Sequence, residues 1–476
     1  MSVKKNYIYN TANQLLTMIV SIITVPYVSR ILGATNIGIY SYTYSIVSYF
    51  VMFIALGLNN YGNREIAKKK DSQEDLRKTF FSIYLMQLIT GIIVIVVYIG
   101  YILIFVHKYQ IMFYIQIIYI FAAILDINWA MYGLEVFKFT AIRNMIISVF
   151  NLIFILLFVR DENSLYIYTF ILAAGVLANQ IAAWVFVRKH IKFIRVSFSE
   201  IVRHIKPNII LFIPIVAVSL YKIMDKIMLG TMVDMTQVGY YESSEKIIRI
   251  PTILISSLGM VMLPRMANLF AKHEVNKSET YIRKSIDVAM ILSSSLCFGI
   301  MAVSKEFVPL FYGPGYDTCI TIYISLLPSC LFLAFSNVIR TQFLIPTARD
   351  KIFIKAVIIG AVVNIVVNLL LIPRLYAVGA AIGTLLAECA VCVSQIIDVR
   401  RELPVKNYIV RSMPFTILGL FMFGLVYFIN FQFSPFMSLV IKIIIGTLIY
   451  VIGLVIILKV FYKTYELDLL KFVKRR

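Results

Sequence analysis

Seven basic residues stand inside stretches too apolar for water-facing helices: Arg30, Lys222, Lys226, Lys246, Arg249, Arg340 and Lys442. Five acidic residues share such surroundings, Asp126, Asp225, Glu242, Glu245 and Glu388. A charge at the centre of a bilayer-crossing helix costs about 2.5–3.5 kcal/mol even on a lenient scale, so most of these must face a hydrated cavity or a partner. Lys222, Asp225 and Lys226 fall at i, i+3, i+4, and Glu242, Glu245, Lys246 and Arg249 at i, i+3, i+4, i+7, so each set forms one helical stripe. Glu242 with Lys246 and Glu245 with Arg249 can pair along their helix, which gives one reading: a self-neutralised network joining two helices. Lys222, Lys226, Arg30 and Arg340 have fewer acids within helical reach. Such cations suit phosphate oxygens, Arg as a fork and Lys as a point charge. Asp126, beside Asn128 and Trp129, pairs with a cation of its own half or carries a proton. Lys442, alone in its segment, is expected to snorkel or to meet a lipid phosphate.

The elements that must position these groups follow from composition. The chain has 476 residues, 61% hydrophobic and 14% charged, with a mean hydropathy of +0.88. Soluble domains sit nearer 45–50% apolar and about 25% charged, so a water-soluble enzyme is excluded. Lys4 and Lys5 precede an apolar stretch to about Leu32 that is too long for a cleaved signal and is expected to stay as the first helix. Further apolar segments lie near 37–60, 80–106, 111–133, 145–159, 165–187, 208–230, 239–264, 285–304, 320–345, 354–372, 377–397, 412–430 and 437–458. The expectation is an all-α integral membrane protein of about 14 transmembrane helices.

Several chemistries find no support. The five cysteines all fall in or beside apolar segments, and the lone pair Cys389-x-x-Cys392 lacks the second pair of a zinc site. There is no Gly-rich phosphate loop, no H-E-x-x-H, and His107, His190, His204 and His273 all fall in expected loops. No metal or cofactor is expected. With a cytoplasmic N-terminus, the loops on the inner side hold 34 Lys and Arg, and the outer loops hold 4, Lys108, Arg160, Lys305 and Arg374. That asymmetry places both termini inside. It reads the formal charge of +21 as ordinary cytoplasmic bias plus contact with anionic headgroups, not as a nucleic-acid surface.

The chain also repeats itself. Ile31-Leu32-Gly33, Ile37-Gly38-Ile39-Tyr40 and Arg64 are echoed by Met228-Leu229-Gly230, Val238-Gly239-Tyr240-Tyr241 and Arg265, with 26 residues from Gly38 to Arg64 and from Gly239 to Arg265. The repeat implies two six-helix lobes, 1–206 and 207–404, related in parallel, then a two-helix tail with a basic cytoplasmic end, 405–476. Repeat architectures place transport sites at the midplane between halves. Alignment on Gly33 and Gly230 brings Arg30 within one position of Lys226, a cation at the same depth in each lobe. Gly379 and Gly383 form a small-xxx-small pattern, a signal of close helix packing.

Pro26-Tyr27-Val28-Ser29-Arg30-Ile31-Leu32-Gly33 after Asn13-Gln14, Asn63-Arg64-Glu65, Asp225-Lys226-Ile227-Met228-Leu229-Gly230, Val238-Gly239-Tyr240-Tyr241, Leu263-Pro264-Arg265 and Phe311-Tyr312-Gly313-Pro314-Gly315-Tyr316 together resemble the Wzx-type polysaccharide flippases. These belong to the multidrug/oligosaccharidyl-lipid/polysaccharide exporter superfamily. The resemblance covers nearly the whole chain. It implies a transporter, not an enzyme, in the bacterial cytoplasmic membrane, moving an undecaprenyl-diphosphate-linked oligosaccharide to the outer leaflet by alternating access for capsule, exopolysaccharide or O-antigen-type synthesis. It implies a cavity made positive by Arg30, Lys222, Lys226, Lys246, Arg249 and Arg340, with Arg30 and Lys226 foremost. Proton or sodium coupling would draw on Asp126, Asp225 or Glu388, with Glu242 and Glu245 as further counter-ions. Membrane lipids, and other assembly proteins such as a polymerase or chain-length regulator, are the implied partners. A lipid II flippase, an ion-coupled multidrug antiporter of the same fold, and a membrane polymerase or ligase are the rival readings. The short external stretch near 305–319 argues against the last.

Overall fold

The computed structural model describes residues 3–461, apart from the side chains of 3–8, 10, 11, 189, 190, 214, 217, 220, 221 and 461; the basic tail expected at 462–476 and the side chain of Pro214 lie outside the described residues. The described chain is helical from end to end: α1 (Val3–Ala55), α2 (Leu58–Lys69), α3 (Gln73–Phe105), α4 (Gln110–Ile124), α5 (Asn128–Gly133), α6 (Phe137–Phe158), α7 (Leu165–His190), α8 (Phe198–Val202), α9 (Ile205–Met232), α10 (Met235–Ala271), α11 (Val275–Ala302), α12 (Ser304–Tyr312), α13 (Thr318–Leu326), α14 (Ser329–Ile339), α15 (Asp350–Val399), α16 (Val405–Phe428) and α17 (Pro435–Phe461). Among the described residues, eleven continuous stretches are long and apolar enough to cross a membrane. Two of them hold two expected segments each. Gly33 (φ 72°, ψ 169°) breaks α1 and Tyr376 (φ 55°, ψ −131°) breaks α15. With α9, which carries the expected 208–230 segment, every one of the fourteen expected segments falls on a helix.

The Gly33 break follows from chemistry, since only glycine takes that backbone region without strain. Between α4 and α5 the chain leaves the helix within apolar surroundings, and its freed carbonyls need donors. Gln87 supplies them, its Nε2 donating to the oxygens of Ala123 (2.7 Å) and Asp126 (2.9 Å), while Trp129 Nε1 donates back to Gln87 Oε1 (3.0 Å).

The chain divides into two compact units, residues 1–242 and 243–476. In the first, one core gathers Tyr61, Phe80, Met86 and Trp129, and a second gathers Val47, Tyr98, Phe113 and Ile120. In the second unit α11 packs along α16 and α14 along α15. Gly379 and Gly383 let the two halves of α15 meet: a Cβ at Gly379 would sit 2.5 Å from Leu371 O, and one at Gly383 2.0 Å from Asn368 Oδ1. Cys297, Cys319, Cys330 and Cys392 are buried core residues. Large apolar side chains on α3, α15 and α17, among them Val96, Leu370 and Ile452, remain exposed, as lipid-facing residues must.

Candidate functional site

The repeat motifs meet within the first unit, where α1 beyond Gly33 crosses the end of α9 and the start of α10. A Cβ on Gly38 would lie 1.6 Å from Met235 O, and one on Gly239 1.9 Å from Ala34 O. The two contacts are reciprocal under an offset of 201 residues, which relates Gly38 to Gly239 and Ala34 to Met235, and Thr35 and Thr236 face each other at that offset with hydroxyls 2.9 Å apart. Gly230 admits the ring of Tyr42, whose Cδ2 would be 2.3 Å from an added Cβ. The register is therefore that of Gly38 with Gly239; alignment on Gly33 and Gly230 differs from it by four residues, about one helical turn.

One turn further along this crossing sits a buried charged network. Lys226 Nζ donates to Glu242 Oε2 (2.8 Å), and Ser41 Oγ donates to the same oxygen (2.9 Å) across 201 residues. Tyr241 Oη donates to Asp225 Oδ2 (2.7 Å). Lys226 and Glu242 are exposed by only about a tenth of their side chains. Lys226 thus finds its acid across helices, and Glu242 bonds there as well as lying at helical spacing from Lys246. Lys222, one turn earlier on α9, is exposed, and so is Arg30 on α1. The arrangement offers a closed, nearly neutral pair with the exposed Lys222 one turn away along α9.

The remaining expected residues of the first unit's site list reduce to Asp126. Its Oδ1 accepts the Asn128 N–H (2.9 Å) at the α4–α5 break, and Arg143 acts on it electrostatically. In the second unit Arg249 is exposed and its Nη2 donates to Glu245 Oε1 (3.3 Å), the expected pairing along α10. Lys246 is half-buried, Glu388 is buried in α15, and Arg340 lies with its guanidinium 4.1 Å from the centre of the Phe353 ring.

The structure corrects two assignments and adds a third group. Lys442 neither snorkels nor faces lipid: it is fully buried, and its Nζ donates to Glu306 Oε1 (2.5 Å), because α12 lies against α17. Arg143, expected in an inner loop, lies within α6, which begins at Phe137 and not near 145. It is 6% exposed, and its Nη2 donates to Asn128 Oδ1 (2.8 Å) and Asn144 Oδ1 (3.2 Å). Asp287 of α11 accepts from Arg411 Nε of α16 at 2.8 and 3.1 Å. Both arginines sit at the edges of apolar runs, where a charge shortens the hydropathic segment. The available signal was the asparagine next to Arg143 and the acid two residues inside the 285–304 segment.

The polysaccharide biosynthesis protein family matches residues 3–270. An Escherichia coli (strain K12) protein named "Putative O-antigen transporter" is 24% identical over 411 residues, which cover 84% of this chain and 98% of the relative. Among solved structures, the lipid II flippase MurJ in an inward closed conformation superposes with a TM-score of 0.78 at 15% identity, over 94% of this chain and 98% of that one. An inward-facing multidrug resistance MATE family transporter of the MOP superfamily superposes with a TM-score of 0.63 at 14% identity, over 82% and 98%. The fold is therefore that of a multi-pass membrane transporter, and the chain belongs to the polysaccharide biosynthesis protein family, as its resemblance to the Wzx-type flippases implied.

Proposed function

We propose that the protein is a flippase that carries an undecaprenyl-diphosphate-linked oligosaccharide from the cytoplasmic to the outer leaflet of a bacterial plasma membrane, with both of its termini on the cytoplasmic side. The observation that carries the reading is the family match across more than half of the chain, joined to a likeness that spans 98% of a relative named for O-antigen transport. The intramembrane cations support it. Phosphate oxygens take charge-assisted hydrogen bonds from Arg and Lys, and a diphosphate needs several. Arg30 and Lys222 are exposed and meet it first. Lys226 leaves Glu242 for the diphosphate as the carrier moves, so the pair is a store of positive charge held neutral at rest. Lys246, Arg249 and Arg340 complete the set, and Asp225 and Asp126 are the acids available for a coupled ion. The product feeds enzymes that polymerise or ligate lipid-linked sugars.

The test is translocation of a lipid-diphosphate-linked oligosaccharide in proteoliposomes, with Arg30→Ala and Lys222→Ala beside the unchanged chain. Both variants are expected to lose at least about tenfold in rate, the equivalent of one lost charge-assisted bond, while remaining folded by thermal unfolding. Unaltered transport in both overturns the role of these cations. No transport by the unchanged chain, together with proton- or sodium-driven efflux of a lipophilic cation, favours the multidrug reading that the MATE likeness raises.

A further inference from the structure

Across 36–52 of α1, Tyr44 is the one exposed side chain among the described residues, at 39%, while every residue around it is buried or half-buried. A lipid-facing helix shows a recurring stripe instead, as α6 does with Ile146, Phe150, Ile153 and Leu157. A single opening on a helix otherwise covered on all sides is a place for a ligand group. The Tyr44 ring is held in position: Tyr40 lies parallel to it with ring centres 5.7 Å apart, Tyr119 meets it at 64° and 4.9 Å, and the hydroxyls of those two supports are 3.0 Å apart. Tyr168 backs Tyr40 at 5.3 Å. Along α1 the neighbours of Tyr44 are polar, Ser41 one turn before and the half-buried Ser48 one turn after. Two bonds fix its level against α9. Ser41 reaches the carboxylate that Lys226 holds, and Tyr49 Oη donates to Ser219 O (3.3 Å). Tyr44 falls between Ser41 and Tyr49 as the exposed Lys222 falls between Ser219 and Lys226, so the ring and the ammonium share one level of the first unit.

We infer that Tyr44 is a carbohydrate subsite, the platform on which the pyranose ring bonded to the diphosphate stacks while Lys222 holds a phosphate oxygen. A pyranose turns a face of polarised C–H bonds to the negative face of an aromatic ring and keeps its hydroxyls at the rim, and a tyrosine already locked by its neighbours loses little entropy in receiving it. The inference rests on the proposed function, whose substrate carries a sugar next to its diphosphate. It adds the residue that reads the sugar. An acyl chain is the other group that lies against an aromatic ring, but it needs an apolar stripe along the helix, and Ser41 and Ser48 interrupt that stripe on both sides of Tyr44.

The test measures binding of two probes to the intact protein in nanodiscs, undecaprenyl diphosphate carrying one N-acetylglucosamine and undecaprenyl diphosphate alone, for the unchanged chain and for Tyr44→Leu, Tyr44→Phe and Tyr44→Trp. In the unchanged chain the sugar is expected to tighten binding about fivefold, the effect of about one aromatic contact. Tyr44→Phe should keep that gain, and Tyr44→Leu should lose it while binding the bare diphosphate as well as before. In Tyr44→Trp the new indole emission should shift with the sugar-bearing probe and not with the bare one. Equal affinity of the unchanged chain for both probes overturns the inference and leaves the proposed function standing, whereas binding of neither probe overturns both. A sugar gain that survives Tyr44→Leu, or one that Tyr44→Phe removes, overturns the role of the ring.

Discussion

Lys226 and Glu242 carry opposite charges in an apolar helix pair and share one carboxylate oxygen with Ser41. Attraction in such surroundings offsets desolvation only while both partners are present, and removing one strands the other. Lys226→Met should therefore lower stability by about 3–5 kcal/mol, read as a fall in the unfolding midpoint in detergent, and Lys226→Met with Glu242→Gln should recover most of it. A double variant as unstable as the single would show that the pair is not what holds these helices. The same double variant separates structure from transport: if it folds and still fails to move substrate, the ammonium has a role beyond pairing. His204 makes a prediction of another kind. It lies between α8 and α9 with Nδ1 2.6 Å from Tyr61 Oη, and burial, followed by the charge of Arg203, pushes its pKa down to about 4. In the unfolded chain it takes a proton below about pH 6.5. The unfolded state then binds more protons than the folded one between those values, so stability is fully present above about pH 6.5 and is lost as pH falls toward 4. His204→Gln should flatten the unfolding midpoint across pH 4–7, and an unchanged slope would assign the acid sensitivity to other groups.

The crossing of α1 with α9 and α10 is built on glycine, and at the scale of elements that is its most testable property. A methyl on Gly38 meets the backbone oxygen of Met235 at 1.6 Å, so the helices must separate. Overpacking of this kind costs about 1–3 kcal/mol. Gly38→Ala should destabilise by that amount, whereas Gly424→Ala in α16, where an added Cβ meets nothing within 4 Å, should not. Because Gly38 and Gly239 serve one crossing, their combined variant should cost less than the two single effects together. Thermal unfolding of Gly38→Ala, Gly239→Ala, their combination and Gly424→Ala decides this, and an unaffected Gly38→Ala would mean the crossing opens freely. The repeat that predicts this contact is legible in the sequence through Gly38, Gly239 and the matching arginines. The helices are legible too, because hydropathy belongs to each segment by itself. What the sequence hides is whatever depends on a partner far along the chain. Lys442 looks like a lone charge until Glu306, 136 residues away, is brought against it. Arg143 looks like a loop residue until Asn128 supplies its acceptor. The depth match of Arg30 with Lys226 likewise rests on a register one turn away from the one the reciprocal contacts adopt.

For the whole molecule the deciding quantity is charge moved across the bilayer. A diphosphate carried outward takes about two negative charges from a negative interior to a positive exterior, a gain of about 4–5 kcal/mol per 100 mV before any coupled ion is counted. The protein's own cations do not alter that gain if they return empty, since only net charge moved per cycle enters the balance. Translocation in proteoliposomes with the cytoplasmic face inward and substrate inside should therefore speed up when a potassium diffusion potential makes the interior negative, and slow down when the potential is reversed. Arg30→Ala and Lys222→Ala should lower the rate at every potential while leaving its direction of response unchanged, because they alter binding and not the charge of the cargo. A rate indifferent to potential would require two positive charges to travel with each substrate, and would direct attention to ion coupling at Asp225 or Asp126. A response of opposite sign would mean that net positive charge moves outward, which is the behaviour of a cation exporter and not of a diphosphate flippase.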